Sequence, residues 1–282
     1  MRISLDVSNA ARPQATGVAM YIRRMVAAFA RVGDKHQFAL AVRLSRLKNL
    51  FWLPTVPGEN FSRKLILEGC HPFFSRSQDI YHDLDARLPG PWMKAKLAVT
   101  VHDVHSALQS ESFATEEFRN MKRARYEELA RRADRIICVS QAVRRDVLET
   151  LRPDPARLRV VYEAAGEQFS PQSATTVKAV RTKYGLERDY FFFLGSINKR
   201  KNVPRQIEAF CRARAEAKSD AVLAIAGRTG FGGDEIRSAL EQAGDSIRLL
   251  GYVPDEDIPA LYSGAQALLF ATLYEGFGLP AV

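Results

Sequence analysis

Residues 190–217 read YFFFLGSINKRKNVPRQIEAFCRARAEA: a short apolar run, a glycine, a cationic loop and a helical stretch. Tyr190–Leu194 is short, aromatic and bounded by a glycine, which predicts a buried strand. Val203–Ala217 carries apolar residues three and four apart, and Pro204 marks its first turn, so a helix is expected. The same alternation runs along the whole chain. Further strands are expected at Ile3–Val7, Phe38–Val42, Asp79–His82, Leu97–Val101, Arg135–Val139 and Arg159–Tyr162, then at Val222–Ala226, Ile247–Leu250 and Ala267–Ala271. Helices are expected at Val18–Arg31, Thr115–Arg132, Gln141–Leu151, Asp234–Gln242 and Ile258–Gly264. Short strands alternating with amphipathic helices predict an α/β protein with parallel sheets covered on both faces. Ala164–Asp189 interrupts the pattern and is rich in Ser, Thr, Gln and Pro. It predicts a boundary between two doubly wound, Rossmann-like domains, residues 1–168 and 169–282.

Composition removes several classes. The 282 residues are 46% hydrophobic and 26% charged, the balance of a globular chain large enough to bury a core without staples. No apolar run approaches the ~18–20 residues of a membrane span, and the opening MRISLDVSNAARP has no apolar signal core. Cys70, Cys138 and Cys211 are odd in number and far apart, which indicates neither a disulfide framework nor a thiolate zinc site. A reducing cytoplasm is the expected compartment. Charge is uneven: 27 Lys and Arg stand against 19 Asp and Glu up to Gln172, and 14 against 13 after it. The basic first half points to an anionic partner. No RRM, KH or zinc-finger signature supports nucleic acid.

Ligands of open parallel sheets bind beyond the carboxyl ends of the strands. Residues directly after strands are therefore the functional candidates: Gly17, His82-Asp83, His102-Asp103, the loop Ser196–Asn202 and Glu275–Gly278. Lys199, Arg200 and Lys201 precede a helix start, where backbone N–H groups already favour an anion, and together they suit a diphosphate. The competing reading is a solvated charge run. In Glu275-Gly276-Phe277-Gly278, two glycines let the backbone approach a ligand and the carboxylate can accept hydrogen bonds from sugar hydroxyls. His102 is equally readable as a strand-end histidine held by backbone. His102, Asp103 and His105 are imaginable as metal ligands, but no second cluster with matching spacing supports a metal.

Taken in order, Gly17, TVHDV, RIICVSQAVRRD, FLGSINKRKN, LAIAGRTGFGGDEI, LLGYVPDEDIPALY and LYEGFGLPAV resemble the retaining, nucleotide-sugar-dependent glycosyltransferases of family GT4, with the two-domain GT-B fold. The branch it is most similar to is that of bacterial mannosyltransferase-like proteins of surface polysaccharide synthesis. The resemblance implies that Lys201, with Arg200, neutralises the leaving diphosphate and that Glu275 binds hydroxyls of the donor sugar. It implies that backbone groups of Gly276, Phe277 and Gly278 hold sugar and phosphates, and that His102 sits beside the reacting carbon. Gly17 would let the first loop close on the donor phosphate, and Tyr252 and Val253 would lie at the base; His82 and Asp103 would face the acceptor side. It also implies a GDP- or UDP-sugar as donor substrate, no cofactor, no metal, and a lipid-linked or polysaccharide acceptor.

Two departures from the family pattern bear on this. Ser196 stands where the family often has Arg, so the clamp leans on Arg200 and Lys201. The second acid of the family's E-x7-E motif would be the residue after Val282, so the second domain is expected to be incomplete, with weak donor binding and poor turnover. The segment Arg43–Leu53 interleaves cations with Leu and ends on Phe51 and Trp52, which suits peripheral contact with an anionic membrane at the inner face of the plasma membrane. The alternative there is an ordinary helix with Leu44, Leu47 and Phe51 in the core. Two other functional readings are a nucleotide-sugar epimerase on the same fold and a non-catalytic nucleotide-sugar-binding fragment.

Overall fold

A computed structural model describes residues 1–13, 16–53, 55–56, 58–67, 76–90, 94–104, 115–228 and 233–282. Cys70, His105 and residues 229–232 of the LAIAGRTGFGGDEI motif lie outside the described residues. The chain divides between Glu163 and Ala164 into two compact units.

The first unit holds a parallel sheet of β1 (Arg2–Asp6), β2 (Gln37–Arg43), β3 (Phe61–Ile66), β4 (Ile80–Asp83), β5 (Lys96–Val101), β6 (Arg135–Cys138) and β7 (Leu158–Val160). Its order is β3-β2-β1-β4-β5-β6-β7. β1 is an inner strand, pairing Ile3 with Phe38 on one side and with Ile80 on the other. Leu5, Leu40, Val42, Val99 and Val101 are fully buried, because helices cover both faces of a parallel sheet. This is why those strands read as continuous apolar runs. The helices are α1 (Gly17–Val32), α2 (Glu116–Arg132) and α3 (Gln141–Leu151). Ser140 caps α3, its hydroxyl accepting from the Val143 N–H at 3.1 Å.

The second unit contains β8 (Tyr190–Leu194), β9 (Val222–Ala226) and β10 (Ile247–Gly251), parallel in the order β10-β9-β8. Its helices are α4 (Ala174–Tyr184), α5 (Val203–Glu216), α6 (Gly233–Ala243) and α7 (Ile258–Gly264). Two apolar clusters sandwich this sheet. Tyr190, Phe192 and Ala224 pack on Leu261 of α7, while Phe193, Leu223 and Ile225 pack on Ile207 and Phe210 of α5.

Four expectations change. β3 went unread because its centre, Ser62-Arg63-Lys64-Leu65, is exposed: it is an edge strand with charges at the edge. α4 lies inside the stretch read as a linker. Only Val180 of it is buried, so its surface composition hid a helix that Ser173 caps and that Gly185 ends at φ +64°. Ala267–Ala271 forms no regular strand; it meets β8 at one bridge, Phe192 opposite Leu268, where the Phe192 N–H donates to the Ala267 carbonyl at 2.9 Å and the Leu269 N–H to the Phe192 carbonyl at 2.8 Å. Further along, the Ala271 N–H and carbonyl are taken by the side chains of Gln206 and Asn202. Finally, Leu44–Trp52 is a run of 3-10 turns with no buried residue, so Leu44, Leu47 and Phe51 do not enter the core.

Candidate active site

In the second unit the carboxyl ends of three strands meet. The Gly195 N–H donates to the Ala226 carbonyl at 2.9 Å, and the Gly227 N–H donates to Gly251 at 2.7 Å. This close approach demands glycine. Gly227 has φ +148°, and a Cβ there would sit 1.8 Å from the Gly195 carbonyl oxygen. The loop after β8 is thus held against the loop after β9.

Lys201 is buried at the end of that loop. Its N–H donates to Asn198 Oδ1 at 2.9 Å, and its carbonyl accepts from Gln206 Nε2 at 2.6 Å. Asn202 starts α5 from the left-handed region at φ +56°, which turns the chain sharply there. The Lys201 ammonium donates to Glu275 Oε1 and lies 5.6 Å from the centre of the Phe270 ring. Arg200 Nη1 stands 3.7 Å from Glu275 Oε2 and donates to the Tyr274 carbonyl at 3.3 Å. The Leu273 N–H donates to the Arg200 carbonyl at 2.9 Å, so backbone as well as side chains tie the two loops. Gly278, at φ +93°, closes the turn. Arg200 and Lys201, with Glu275 74 positions beyond Lys201, form one cation–carboxylate group next to residues 276–278. Tyr252 is partly exposed and lies under Arg228, whose guanidinium is 5.9 Å from its ring, whereas Val253 belongs to the core.

The first unit places the other expected residues. His102 follows β5, with Nε2 2.9 Å from the Leu84 carbonyl and Nδ1 3.3 Å from Glu163 Oε1. Tyr21 of α1 meets its ring edge-on at 4.6 Å. Burial alone would lower the His102 pKa. The hydrogen bond to Glu163, the Leu84 carbonyl and the charge of Asp85 outweigh burial and raise it. Both ring nitrogens face acceptors, which is the arrangement an imidazolium satisfies. His82, expected on the acceptor side, is turned into the sheet: Nε2 lies 2.9 Å from Thr100 Oγ1, and burial pushes its pKa down to about 4. A buried neutral histidine locked between β4 and β5 is a packing residue. The Asp103 carbonyl accepts from the Tyr126 hydroxyl at 2.6 Å. Gly17 is the first residue of α1, with open space where a side chain would be. Among the described residues no group of three or more His, Cys, Asp or Glu is placed to hold a metal ion.

Sequence reading missed Glu163 and Gln206. Glu163 directly follows the expected strand Arg159–Tyr162, so the strand-end rule would have reached it. Gln206, which clamps both Lys201 and Ala271, carries no local signal.

A seven-stranded parallel sheet in this order, joined to a second parallel unit with cations and a glycine turn at its strand ends, defines the glycosyltransferase fold class. HepE from Anabaena, in complex with UDP and glucose, superposes with a TM-score of 0.70 at 15% identity, covering 98% of this chain and 76% of that one. WaaG, a glycosyltransferase involved in lipopolysaccharide biosynthesis, gives 0.67 at 15% identity, with 98% and 76% covered. The chain belongs to Glycosyltransferase Family 4, whose model matches residues 15–164; the model for glycosyl transferases group 1 matches residues 178–282. It is 29% identical over 204 residues to the O-antigen chain mannosyltransferase B of Escherichia coli, covering 71% of this chain and 53% of that protein. It is 30% identical over 200 residues to the serotype-specific mannosyltransferase WbdA of E. coli, covering 67% and 24%. The chain therefore spans about half the length of the first relative and about a quarter of the second.

Proposed function

We propose that this chain carries the donor-binding and sugar-transfer machinery of a retaining, metal-independent glycosyltransferase that uses a GDP- or UDP-sugar, with mannose as the sugar. The observation that carries the reading is the Arg200–Lys201–Glu275 group at the end of β8. The acceptor hydroxyl attacks the anomeric carbon on the face from which the diphosphate departs. One C–O bond forms, the bond from that carbon to the diphosphate breaks, and the hydroxyl proton passes to the leaving oxygen. Charge grows on the diphosphate as it leaves, and prepositioned cations are worth most there; one such donor typically contributes about 3–4 kcal/mol. Glu275 pairs with those cations until phosphate takes its place, and then turns to the sugar's hydroxyls. Support for mannose comes from the names of the two E. coli relatives, and their polysaccharide setting supports a glycan acceptor.

The test is incubation with radiolabelled GDP-mannose, with and without a mannan-type oligosaccharide. Product with retained configuration that needs the acceptor is expected. Conversion without acceptor would instead establish an epimerase, and nucleotide-sugar binding without turnover a binding fragment. A peripheral membrane role belongs to the same reading. It is supported by Leu44, Leu47, Phe51 and Trp52, all exposed beside Arg46 and Lys48. No helix among the described residues is long and apolar enough to cross a membrane. Binding to phosphatidylglycerol vesicles at low salt, lost on Phe51→Ser/Trp52→Ser, is the expected outcome; no binding by the parent chain overturns it.

A further inference from the structure

Helix α5 buries Val203, Gln206, Ile207 and Phe210, the i, i+3, i+4, i+7 stripe that an amphipathic helix turns to its core. Gln206 is the polar member of that stripe, and it is only 3% exposed. Among the described residues of the second unit, the buried polar or charged side chains are Lys201, Gln206 and Asp257. Asp257 accepts from Lys183 and Tyr184 of α4. Gln206 is joined to Lys201 itself.

An amide taken out of water is costly unless its ends find partners. Both ends of Gln206 do. Nε2 donates to the Lys201 carbonyl at 2.6 Å, and Oε1 accepts from the Ala271 N–H at 3.2 Å. The side chain fits in one orientation: reversing the amide would set donor against donor at Ala271 and acceptor against acceptor at Lys201. It therefore bridges the loop after β8 and the segment that leads to Glu275. Asn202 Nδ2 donates to the Ala271 carbonyl at 3.0 Å, so both backbone groups of Ala271 are held from the start of α5. Past the glycine turn, the Tyr262 hydroxyl of α7 donates to the Pro280 carbonyl at 2.9 Å. Glu275 lies between these two fixed points.

The bridge does little for stability. A neutral hydrogen bond gains little over the same groups meeting water, and Ala271 is exposed, so its N–H can turn to solvent once the bridge is gone. What the bridge supplies is position. Without it Lys201 still has Asn198, which accepts from its N–H, and the turn at Asn202. The segment carrying Glu275 loses the contact that sets its spacing from that loop. We infer that Gln206 is a positioning residue of the donor site, holding Glu275 where the acid reaches the sugar while Arg200 and Lys201 hold the diphosphate. This rests on the glycosyl-transfer reading above. Cations attract a diphosphate from a range of positions, whereas a carboxylate must meet one particular hydroxyl. Errors of placement of about 1 Å at a reacting centre can cost on the order of 100-fold in rate. Gln206 thus governs the sugar more than the nucleotide.

The experiment compares the whole chain with Gln206→Leu and Gln206→Glu. Leucine fills the space with neither hydrogen bond. Glutamate works as a switch: as a neutral acid its O–H donates to Lys201 and its carbonyl accepts from Ala271, and as a carboxylate it has nothing to donate. Amide exchange at Ala271 is followed by NMR, and UDP, GDP, UDP-glucose and GDP-mannose are titrated by calorimetry at about pH 5 and about pH 8, a range that spans the titration of a buried acid. In Gln206→Leu, protection of the Ala271 amide should fall at least tenfold. The free nucleotides should hold within about threefold and the nucleotide sugars lose about tenfold. Gln206→Glu should behave as Gln206→Leu at the higher pH and as the parent chain at the lower, each compared with the parent at the same pH. Should Gln206→Leu not fold, Gln206→Glu carries the test alone, because its two states are one polypeptide. Equal losses for nucleotide and nucleotide sugar, no recovery of Gln206→Glu at low pH, or unchanged protection at Ala271 would each overturn the inference. If protection at Ala271 follows the expected pattern but the parent chain binds none of the four ligands, the hold of Gln206 on the Glu275 segment stands and the donor reading fails.

Discussion

Replacing Lys201 tests whether the cation–carboxylate group is a donor clamp or a structural ion pair. In Lys201→Met the Glu275 carboxylate loses its nearest cation but keeps Arg200 at 3.7 Å. Breaking a buried pair outright costs about 3–5 kcal/mol. With Arg200 still present and Glu275 partly solvated, we expect about 1–3 kcal/mol of stability to be lost, including the Lys201–Phe270 contact. Adding Glu275→Gln neutralises the orphaned acid and should restore most of it. Affinity behaves differently. A charged hydrogen bond to phosphate is worth about 1.5–3 kcal/mol, so Lys201→Met should weaken GDP or UDP binding by roughly 10- to 150-fold, and the double variant should stay weak. Glu275→Gln alone should split the ligands. The free nucleotide should bind as well or better, because its cations are no longer shared, while the nucleotide sugar should lose about tenfold with the carboxylate–hydroxyl bond. Calorimetry on the three variants, with thermal unfolding alongside, measures all of this. Recovery of nucleotide affinity in the double variant, or equal losses for nucleotide and nucleotide sugar in Glu275→Gln, would refute the reasoning.

Gly227→Ala should cost at least ~3 kcal/mol, because its Cβ would collide with the Gly195 carbonyl at a backbone angle that alanine avoids; thermal unfolding should fall by roughly 10 °C or more. His102 should titrate above 6.5 by NMR, and Glu163→Gln should bring it down. Its contribution to stability is full below 6.5 and lost as pH rises through the elevated folded value. Asp83 shows a linkage of the same sign, the reverse of the usual one for an acid, with burial and the charge of Asp6 holding its folded value up at about 7 against an ordinary 3.8. Between those values the folded protein holds the extra proton, so this group costs stability as pH rises from about 4 to 7. Asp83→Asn should therefore gain stability over the parent chain at pH 8 and gain little at pH 4.

The Arg200–Lys201–Glu275 group was legible because its residues obey a positional rule. Arg200, Lys201 and Glu275 each follow a strand or strand-like segment, and each belongs to a short local motif. What no local pattern gives is the pairing. That Lys201 meets Glu275 depends on Ala267–Ala271 lying beside β8, and on Gln206 and Asn202 pulling Ala271 toward the start of α5. The weak strand and the clamp are thus one feature: the hydrogen bonds that would extend the sheet are spent on holding the site. α4 was missed for a related reason. Its capping signals, Ser173 and Gly185, were present, but a helix with one buried residue has the composition of a linker.

The strand ends of the first unit show where the positional rule stops. It flagged His82 and Asp83 together, yet a strand alternates its faces. His82 points to Thr100 and stays neutral in the sheet, while its neighbour ends the strand at a crevice. Adjacent residues at one strand end therefore have unlike fates, and only the fold separates them. Asp6 and Arg43 were hidden in another way, as the final residues of β1 and β2, which are otherwise mostly apolar. Their meeting at 3.0 Å requires β1 and β2 to pair in register, with Asp6 beside Ala41 so that Arg43 reaches back across the sheet end. A buried Arg–Asp pair gains little net stability over apolar packing. Here it ties the last residue of β2 to the last residue of β1 and leaves Arg43 Nε and Asp83 Oδ2 buried without hydrogen-bond partners.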